Sequence, residues 1–230
     1  MHRYIRYALL FVLTVGSFAS AAHAQTTPFT QWVTTWKTTW ETYKAINATP
    51  PAQNGLVVQS QDLPIVIHAP IDDVYAVYAN VYNAIGLHPF LKQIIPIDYF
   101  FVRGVPTFDF IALEDIPLPD GTIFHGVTVA QQRFHNREHN YDVDTFDQPG
   151  IITHQHIEFI RLDRDHTKVV EHLTFEAPPE LIGLAVQGGV GAHAAVQAGI
   201  KSGMEAGTLK ATHFDAVIEG DLEAAFDHHR

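Results

Sequence analysis

Residues 65–75 read Ile-Val-Ile-His-Ala-Pro-Ile-Asp-Asp-Val-Tyr and mark the place where a strand gives way to a helix. Residues 56–67 are typical of a strand, and Ala69-Pro70 ends it because proline donates no backbone hydrogen bond. Asp72-Asp73 supplies a helix N-cap and a negative charge in the first turn. Apolar side chains then recur at helical spacing over 74–85, before a glycine. The sequence therefore predicts a strand followed directly by a helix.

Six further strands are predicted after this pair, from runs rich in β-branched and aromatic residues that turn residues separate. These strands cover residues 94–103, 105–114, 122–134, 138–146, 151–162 and 168–177. Their short connections favour antiparallel pairing.

A helical pattern then runs from Pro178-Pro179 to about residue 224, with Phe214 and Ile218 on its apolar stripe. This length exceeds what one small sheet can cover. The pattern therefore predicts a bend at Gly188-Gly189, between Gly203 and Gly207, or at Gly220.

This order of elements resembles the helix-grip fold of the START/polyketide-cyclase-like (SRPBCC) superfamily. The phrase at 65–75 is similar to the opening of such proteins, and His88-Pro89-Phe90 stands where they often place a short helix before the second strand. The resemblance covers roughly residues 56–210. It implies an α+β fold in which a seven-stranded curved antiparallel sheet wraps around a long C-terminal helix, here with an extra N-terminal helix. It also implies an apolar cavity for a lipid, sterol, polyketide or aromatic compound, and no shared catalytic residue.

The chain divides into three predicted parts, of which residues 1–24 form a secretory signal. Arg3 and Arg6 give its positive start, residues 8–17 its apolar stretch, and Ala22-His23-Ala24 a cleavage site after Ala24. We therefore expect the protein in the periplasm or outside the cell. Residues 25–55 form an N-terminal helix and linker, and 56–230 form the helix-grip domain.

An aromatic face marks the predicted helix at residues 29–46. Its members recur at steps of three and four: Phe29, Trp32, Trp36, Trp40 and Tyr43. We interpret this face as packing on the main domain or on a second copy in a homodimer. Peripheral membrane contact is the alternative, but such helices usually carry more Lys and Arg.

Composition excludes several classes of function. The chain has 230 residues, is 47% apolar and contains no cysteine, which removes disulfides, thiolate metal sites and cysteine nucleophiles. Its formal net charge of −11 at pH 7 argues against nucleic acid as a partner, because phosphate contacts need clustered Lys and Arg.

The candidate ligand-binding residues are those that the fold would turn toward the cavity. His193 and Gln197, one turn apart on an apolar stripe, would orient a ligand by hydrogen bonds or be satisfied core groups. The whole set comprises Val190, His193, Gln197, Ile200, Met204, Glu171, Phe175, Tyr99, Phe101 and Tyr141.

Two candidates for chemistry remain open. Glu171 shares the inner strand face with Phe175 and could act as a general base, although a structural ion pair with Arg161 is the preferred interpretation. His154 and His156 share one strand face and could hold a metal, but alternation turns them toward solvent, so no metal or cofactor is predicted.

Seven glycines in the last helical segment, between Gly183 and Gly207, indicate either close packing or a flexible ligand gate.

Three functions are consistent with the sequence. The first is binding or carriage of an apolar small molecule without chemistry. The others are a cyclase, dehydrase or hydrolase type of enzyme that uses Glu171 or His193, and a dimerisation or membrane-interaction module.

Overall fold

The computed structural model describes residues 28–118, 120–147 and 150–212. The helices are α1 (Phe29–Asn47), α2 (Ile71–Ala79) and α3 (Ile182–Glu205), and short 3-10 helices cover Pro51–Asn54 and Val81–Ala84. The strands are β1 (Val57–Ile67), β2 (Leu91–Val102), β3 (Val105–Pro117), β4 (Ile123–His135), β5 (Asn140–Asp147), β6 (Ile151–Arg161) and β7 (Thr167–Ala177).

The seven strands form one antiparallel sheet in the order β1-β7-β6-β5-β4-β3-β2. Helix α3 packs on the inner face, against β1 and β7. Alternation along β7 turns Val169, Glu171, Leu173 and Phe175 inward, because successive side chains of a strand point to opposite faces. The predicted α+β architecture of a curved sheet, a long C-terminal helix and an N-terminal helix is confirmed.

Helix α2 is shorter than its apolar periodicity predicts. The predicted helix at 74–85 is wrong beyond Ala79, because Asn80 is extended at φ −82°, ψ 95°. The Asn80 side chain accepts a hydrogen bond from the Tyr82 backbone N–H at 3.1 Å and starts a 3-10 turn. An asparagine side chain can form local hydrogen bonds with the backbone that compete with the helix, and here such a bond ends the helix.

Helix α3 ends at Glu205, well before the predicted limit near residue 224. Gly207 has φ +70°, and the N–H groups of Thr208 and Leu209 both bond to the Gly203 carbonyl. A glycine in the left-handed region is a common way to end a helix. The helical pattern that includes Phe214 and Ile218, and the bend considered at Gly220, lie outside the described residues.

Close packing explains some of the helix glycines. A Cβ on Gly189 would lie 2.5 Å from Phe175 Cε1, and one on Gly199 would lie 2.6 Å from Leu87 Cδ2. Gly183, Gly188 and Gly191 have nothing within 4 Å of that position. The glycines therefore do not form one uniform packing seam.

The aromatic helix α1 lies on the outer face of the sheet. Trp36, Trp40 and Tyr43 are buried there in a cluster with Val129 and Phe146. The Trp36 and Trp40 rings stack with centroids 5.1 Å apart, and Trp36 Nε1 donates to the Ala130 carbonyl at 3.1 Å. The sheet of the same chain therefore covers this aromatic face. Within the described ranges, none of the helices is both long and apolar enough to cross a membrane.

Candidate functional site

A cavity of about 390 Å³ lies between the inner face of the sheet and helix α3. Apolar side chains form most of its wall, including Phe110, Val143, Ile157 and Phe175 from the sheet and Ala192 and Val196 from α3. Such a concave, mostly apolar space with a few polar groups is typical of a small-molecule site.

The first polar group in the wall is a histidine–carboxylate pair. His193 Nδ1 lies 2.6 Å from Glu171 Oε2, which joins α3 to β7. The Glu171 side chain is 5% exposed, so the carboxylate depends on His193 for its partner. Because the carboxylate accepts, Nδ1 carries a proton, and a neutral His193 keeps Nε2 as its acceptor.

The second polar group surrounds His88. The backbone N–H groups of Phe90 and Leu91 donate to His88 Nδ1 at 3.3 and 3.1 Å, so the ring proton belongs on Nε2. His88 Nε2 faces Glu114 Oε1 at 3.7 Å, and the Thr128 hydroxyl donates to Glu114 Oε2 at 3.1 Å.

Burial sets the ionisation of this second group. It lowers the pKa of His88 to about 4, and the nearby His193 lowers it further. Burial also raises the pKa of Glu114, against the opposing hydrogen bond from Thr128. His88 is therefore neutral at pH 7, and protonation of Glu114 is easier than in water.

Comparison with known proteins rests on structure alone. No protein-family model matches the sequence, and no curated protein matches it either. Among solved structures, TTHA0849 from Thermus thermophilus matches with a TM-score of 0.51 and 12% identity, over 65% of this chain and 99% of that chain. The chain therefore has the helix-grip fold.

Two further solved structures match with TM-scores below 0.5. The Zhui aromatase/cyclase from Streptomyces sp. R1128 has a TM-score of 0.49 and 14% identity, over 62% of this chain and 94% of that chain. Norcoclaurine synthase from Thalictrum flavum has a TM-score of 0.46 and 13% identity, over 65% of this chain and 88% of that chain. With identities and TM-scores this low, neither match carries an argument about the ligand or the reaction of this chain.

Half of the ligand-binding residues predicted from the sequence line the cavity. Glu171, Phe175, Tyr141, His193 and Ile200 line it. They come from β7, β5 and α3, the elements whose inner faces the alternation and the helical stripe predict.

The other five nominated residues lie elsewhere. Gln197 is buried and donates from Nε2 to the Leu63 carbonyl at 2.9 Å, which makes it a link between α3 and β1. Val190 packs in the cluster around Leu173, while Met204 and Tyr99 are partly buried against the main core. Phe101 is 66% exposed near the β2–β3 turn.

The preferred pairing of Glu171 with Arg161 is wrong. Arg161 is the last residue of β6 and pairs with Thr167 in the ladder, whereas Glu171 lies opposite Ile157. The Arg161 guanidinium instead reaches Asp72 at 3.8 Å. Arg161 and Glu171 both belong to the inner face of the sheet, but they lie at different heights along their neighbouring strands. Alternation gives the face of a residue and does not give this distance.

Several polar residues of the cavity wall were not predicted from the sequence, among them Tyr78, His88, Glu114 and Gln132. Glu114 follows Phe108, Phe110 and Ala112 at alternating positions of β3. The two-residue period of a strand therefore predicts that its side chain points inward as theirs do. His88 lies in a loop, and no periodic pattern marks it.

The strand histidines lie on the outer face, as alternation predicts, and each is paired with a carboxylate. His154 Nδ1 contacts Asp144 at 2.6 Å, and His156 Nδ1 contacts Asp142 at 2.7 Å. The Asp144 hydrogen bond raises the pKa of His154. Among the residues that the structure describes, no three potential ligand side chains are arranged to hold a metal ion.

Proposed function

We propose that this protein binds an apolar small molecule in the cavity between the sheet and α3. The observation that carries the proposal is the cavity itself, which has about 390 Å³ of space and mostly apolar walls. Pockets for small organic ligands usually fall between about 300 and 1,000 Å³.

The His193–Glu171 pair supports a ligand with a polar end. A small number of placed polar groups in an apolar pocket orients the ligand and gives specificity. His193 can offer Nε2 to a ligand while Nδ1 remains bonded to Glu171.

We also propose that binding takes place outside the cytoplasm. The support is the sequence pattern of residues 1–24, with Arg3 and Arg6, an apolar stretch and the Ala22-His23-Ala24 site. Mass determination of the protein purified from its host tests this: a chain that begins at Gln25 supports export, and an intact N-terminus contradicts it.

Native mass spectrometry and a cavity-filling variant test the binding function. Gly188 lines the cavity and has nothing within 4 Å of an added Cβ, so Gly188→Leu places a side chain in the ligand space. Gly191→Leu is the matched control, because Gly191 is exposed on the same helix.

We expect an apolar compound to co-purify with the wild type and the Gly191→Leu variant, and to be lost or reduced with Gly188→Leu. Equal retention by both variants, or no bound compound and no uptake of an apolar dye, would contradict binding in this cavity.

Acid–base catalysis is a second candidate function. The observation that favours it is that two histidine–carboxylate groups, His193 with Glu171 and His88 with Glu114, line the same cavity. Histidine and carboxyl side chains are the groups that most often move protons on a bound molecule.

Deuterium exchange tests this second candidate without knowledge of the substrate. An enzyme of this type should accelerate exchange of the α-hydrogens of acetonaphthone in D₂O, followed by NMR. Glu171→Gln should abolish the acceleration. A wild-type protein that binds acetonaphthone without any acceleration contradicts the catalytic role of the pair.

A further inference from the structure

The C-terminal end of α2 is held by two side chains from the sheet. Gln132 Nε2 donates to the Ala79 carbonyl at 3.0 Å, and the Tyr141 hydroxyl donates to the Tyr78 carbonyl at 3.3 Å. The last carbonyls of a helix lack partners within the helix, so these bonds satisfy them. They also fix the Gln132 amide, because a flipped amide would set its oxygen against a carbonyl oxygen.

Two polar atoms beside these bonds have no hydrogen-bond partner within the described part of the chain. They are the Tyr78 hydroxyl and Gln132 Oε1. Tyr78 is 6% exposed and Gln132 is 1% exposed, yet both residues line the cavity. An unpaired buried polar atom destabilises the folded state, so a natural protein that retains two at one cavity has a reason outside its own packing.

We propose that the ligand of this cavity is an apolar alcohol or phenol whose hydroxyl accepts a hydrogen bond from Tyr78 and donates one to Gln132 Oε1. This inference rests on the proposed binding function and specifies the chemistry of the ligand. A carbonyl oxygen could serve only Tyr78, whereas a hydroxyl both accepts and donates.

The surroundings favour a neutral ligand with this donor and acceptor pattern. Burial raises the pKa of Tyr78, and the negative charge of Glu171 adds to that effect, so Tyr78 keeps its proton and remains a donor. The same carboxylate repels an anionic ligand. An uncharged hydroxyl avoids this repulsion and also satisfies Gln132.

A pair of probes with nearly the same shape tests the subsite. β-Naphthol and β-methylnaphthalene differ by a hydroxyl in place of a methyl group, and calorimetry gives the affinity of each. We expect Tyr78→Phe and Gln132→Met each to reduce the preference for naphthol by about 5- to 10-fold, because each removes one hydrogen bond to the ligand. The affinity for methylnaphthalene should change by less than about 2-fold, because that probe makes neither bond.

Tyr99→Phe is the control, since Tyr99 does not line the cavity and its substitution should leave the preference unchanged. Gln132→Met also removes the bond to the Ala79 carbonyl, so Tyr78→Phe is the deciding variant. Without ligand, Tyr78→Phe should melt at the same temperature as the wild type or higher, because it removes an unpaired hydroxyl.

An ordered water that fills both positions would give a different result. The preference for naphthol would then be the same in the wild type and in Tyr78→Phe, and Tyr78→Phe would lower the melting temperature. That result overturns the hydroxyl subsite and leaves the binding function standing. If the wild type binds neither probe while Gly188→Leu and Gly191→Leu behave alike, the binding function itself is overturned.

Discussion

His193 and Glu171 connect the C-terminal helix to the sheet across the cavity wall, with Nδ1 and Oε2 2.6 Å apart. Glu171 is nearly inaccessible to solvent, whereas His193 is partly exposed toward the cavity. The pair therefore stabilises the position of α3 and at the same time presents a polar atom to a ligand.

Removal of one member of this pair should lower the free energy of unfolding more than removal of both members. His193→Ala leaves a buried carboxylate without its partner, and we expect a loss of about 2–4 kcal/mol in unfolding free energy at pH 7. Glu171→Gln combined with His193→Ala should be less destabilised than His193→Ala alone. Urea denaturation of the variants measures both effects.

His172→Ala is the matched control for that experiment. His172 contacts Asp62 at 2.8 Å on the outer face, where both side chains are exposed, so its loss should cost less than about 1 kcal/mol. Similar losses for His193→Ala and His172→Ala would mean that the buried pair has no special role in stability.

Two glycines of α3 should respond in opposite ways to alanine. Gly191→Ala should stabilise by up to about 1 kcal/mol, because alanine favours a helix and the added Cβ meets open space. Gly189→Ala should destabilise, because its Cβ would lie 2.5 Å from a ring carbon of Phe175 in the cavity wall. Thermal denaturation compares the two, and a stabilised Gly189→Ala would show that the ring moves aside freely.

Asp147 makes the stability depend on pH near neutrality. Burial, with a contribution from Glu114, raises its pKa from 3.8 to about 7, despite a hydrogen bond from the Ile151 N–H. The folded state therefore retains a proton that the unfolded state releases, and stability falls as the pH rises from about 4 to about 7.

Asp147→Asn should remove that dependence, because asparagine keeps the oxygen that accepts from Ile151 and cannot ionise. We expect the variant to be more stable than the wild type at pH 8 by on the order of 2 kcal/mol, and close to it at pH 4. Denaturation at both pH values measures the difference. An equal effect at the two pH values contradicts the raised pKa.

His88 should have the opposite pH dependence. Its pKa falls to about 4 on folding, so the unfolded state binds a proton first as the pH drops below 6.5. Its contribution is complete above about pH 6.5 and is lost as the pH falls toward 4. His88→Asn should be less sensitive to acid across this interval, which denaturation at pH 7 and pH 4.5 would detect.

Docking of α1 should matter to the whole domain. Trp40 is buried in the outer cluster, so Trp40→Ala should cost about 3–5 kcal/mol, while Trp32→Ala should cost less because Trp32 is only partly buried. All three tryptophans lie in α1, so their fluorescence reports its docking. Fluorescence and circular dichroism should show one coincident transition. An earlier fluorescence transition would mean that α1 undocks separately.

Sequence by itself was sufficient for the element order, the strand count and the inward faces. Alternation placed Glu171 and Phe175 inside and His154 and His156 outside, because side-chain direction in a strand depends only on local backbone geometry. The aromatic face of α1 was readable for the same reason, since helical spacing is local.

Only the tertiary structure decided which inward residues meet. Glu171 contacts His193, 22 positions away, and Arg161 lies at the strand end beside Asp72. Tyr78 and Gln132 come from α2 and β4 and share a cavity because Gln132 reaches the end of α2. Periodicity gives the face on which each residue lies. Strand register, helix ends and the crossing of α3 over the sheet set the distances between the side chains on those faces.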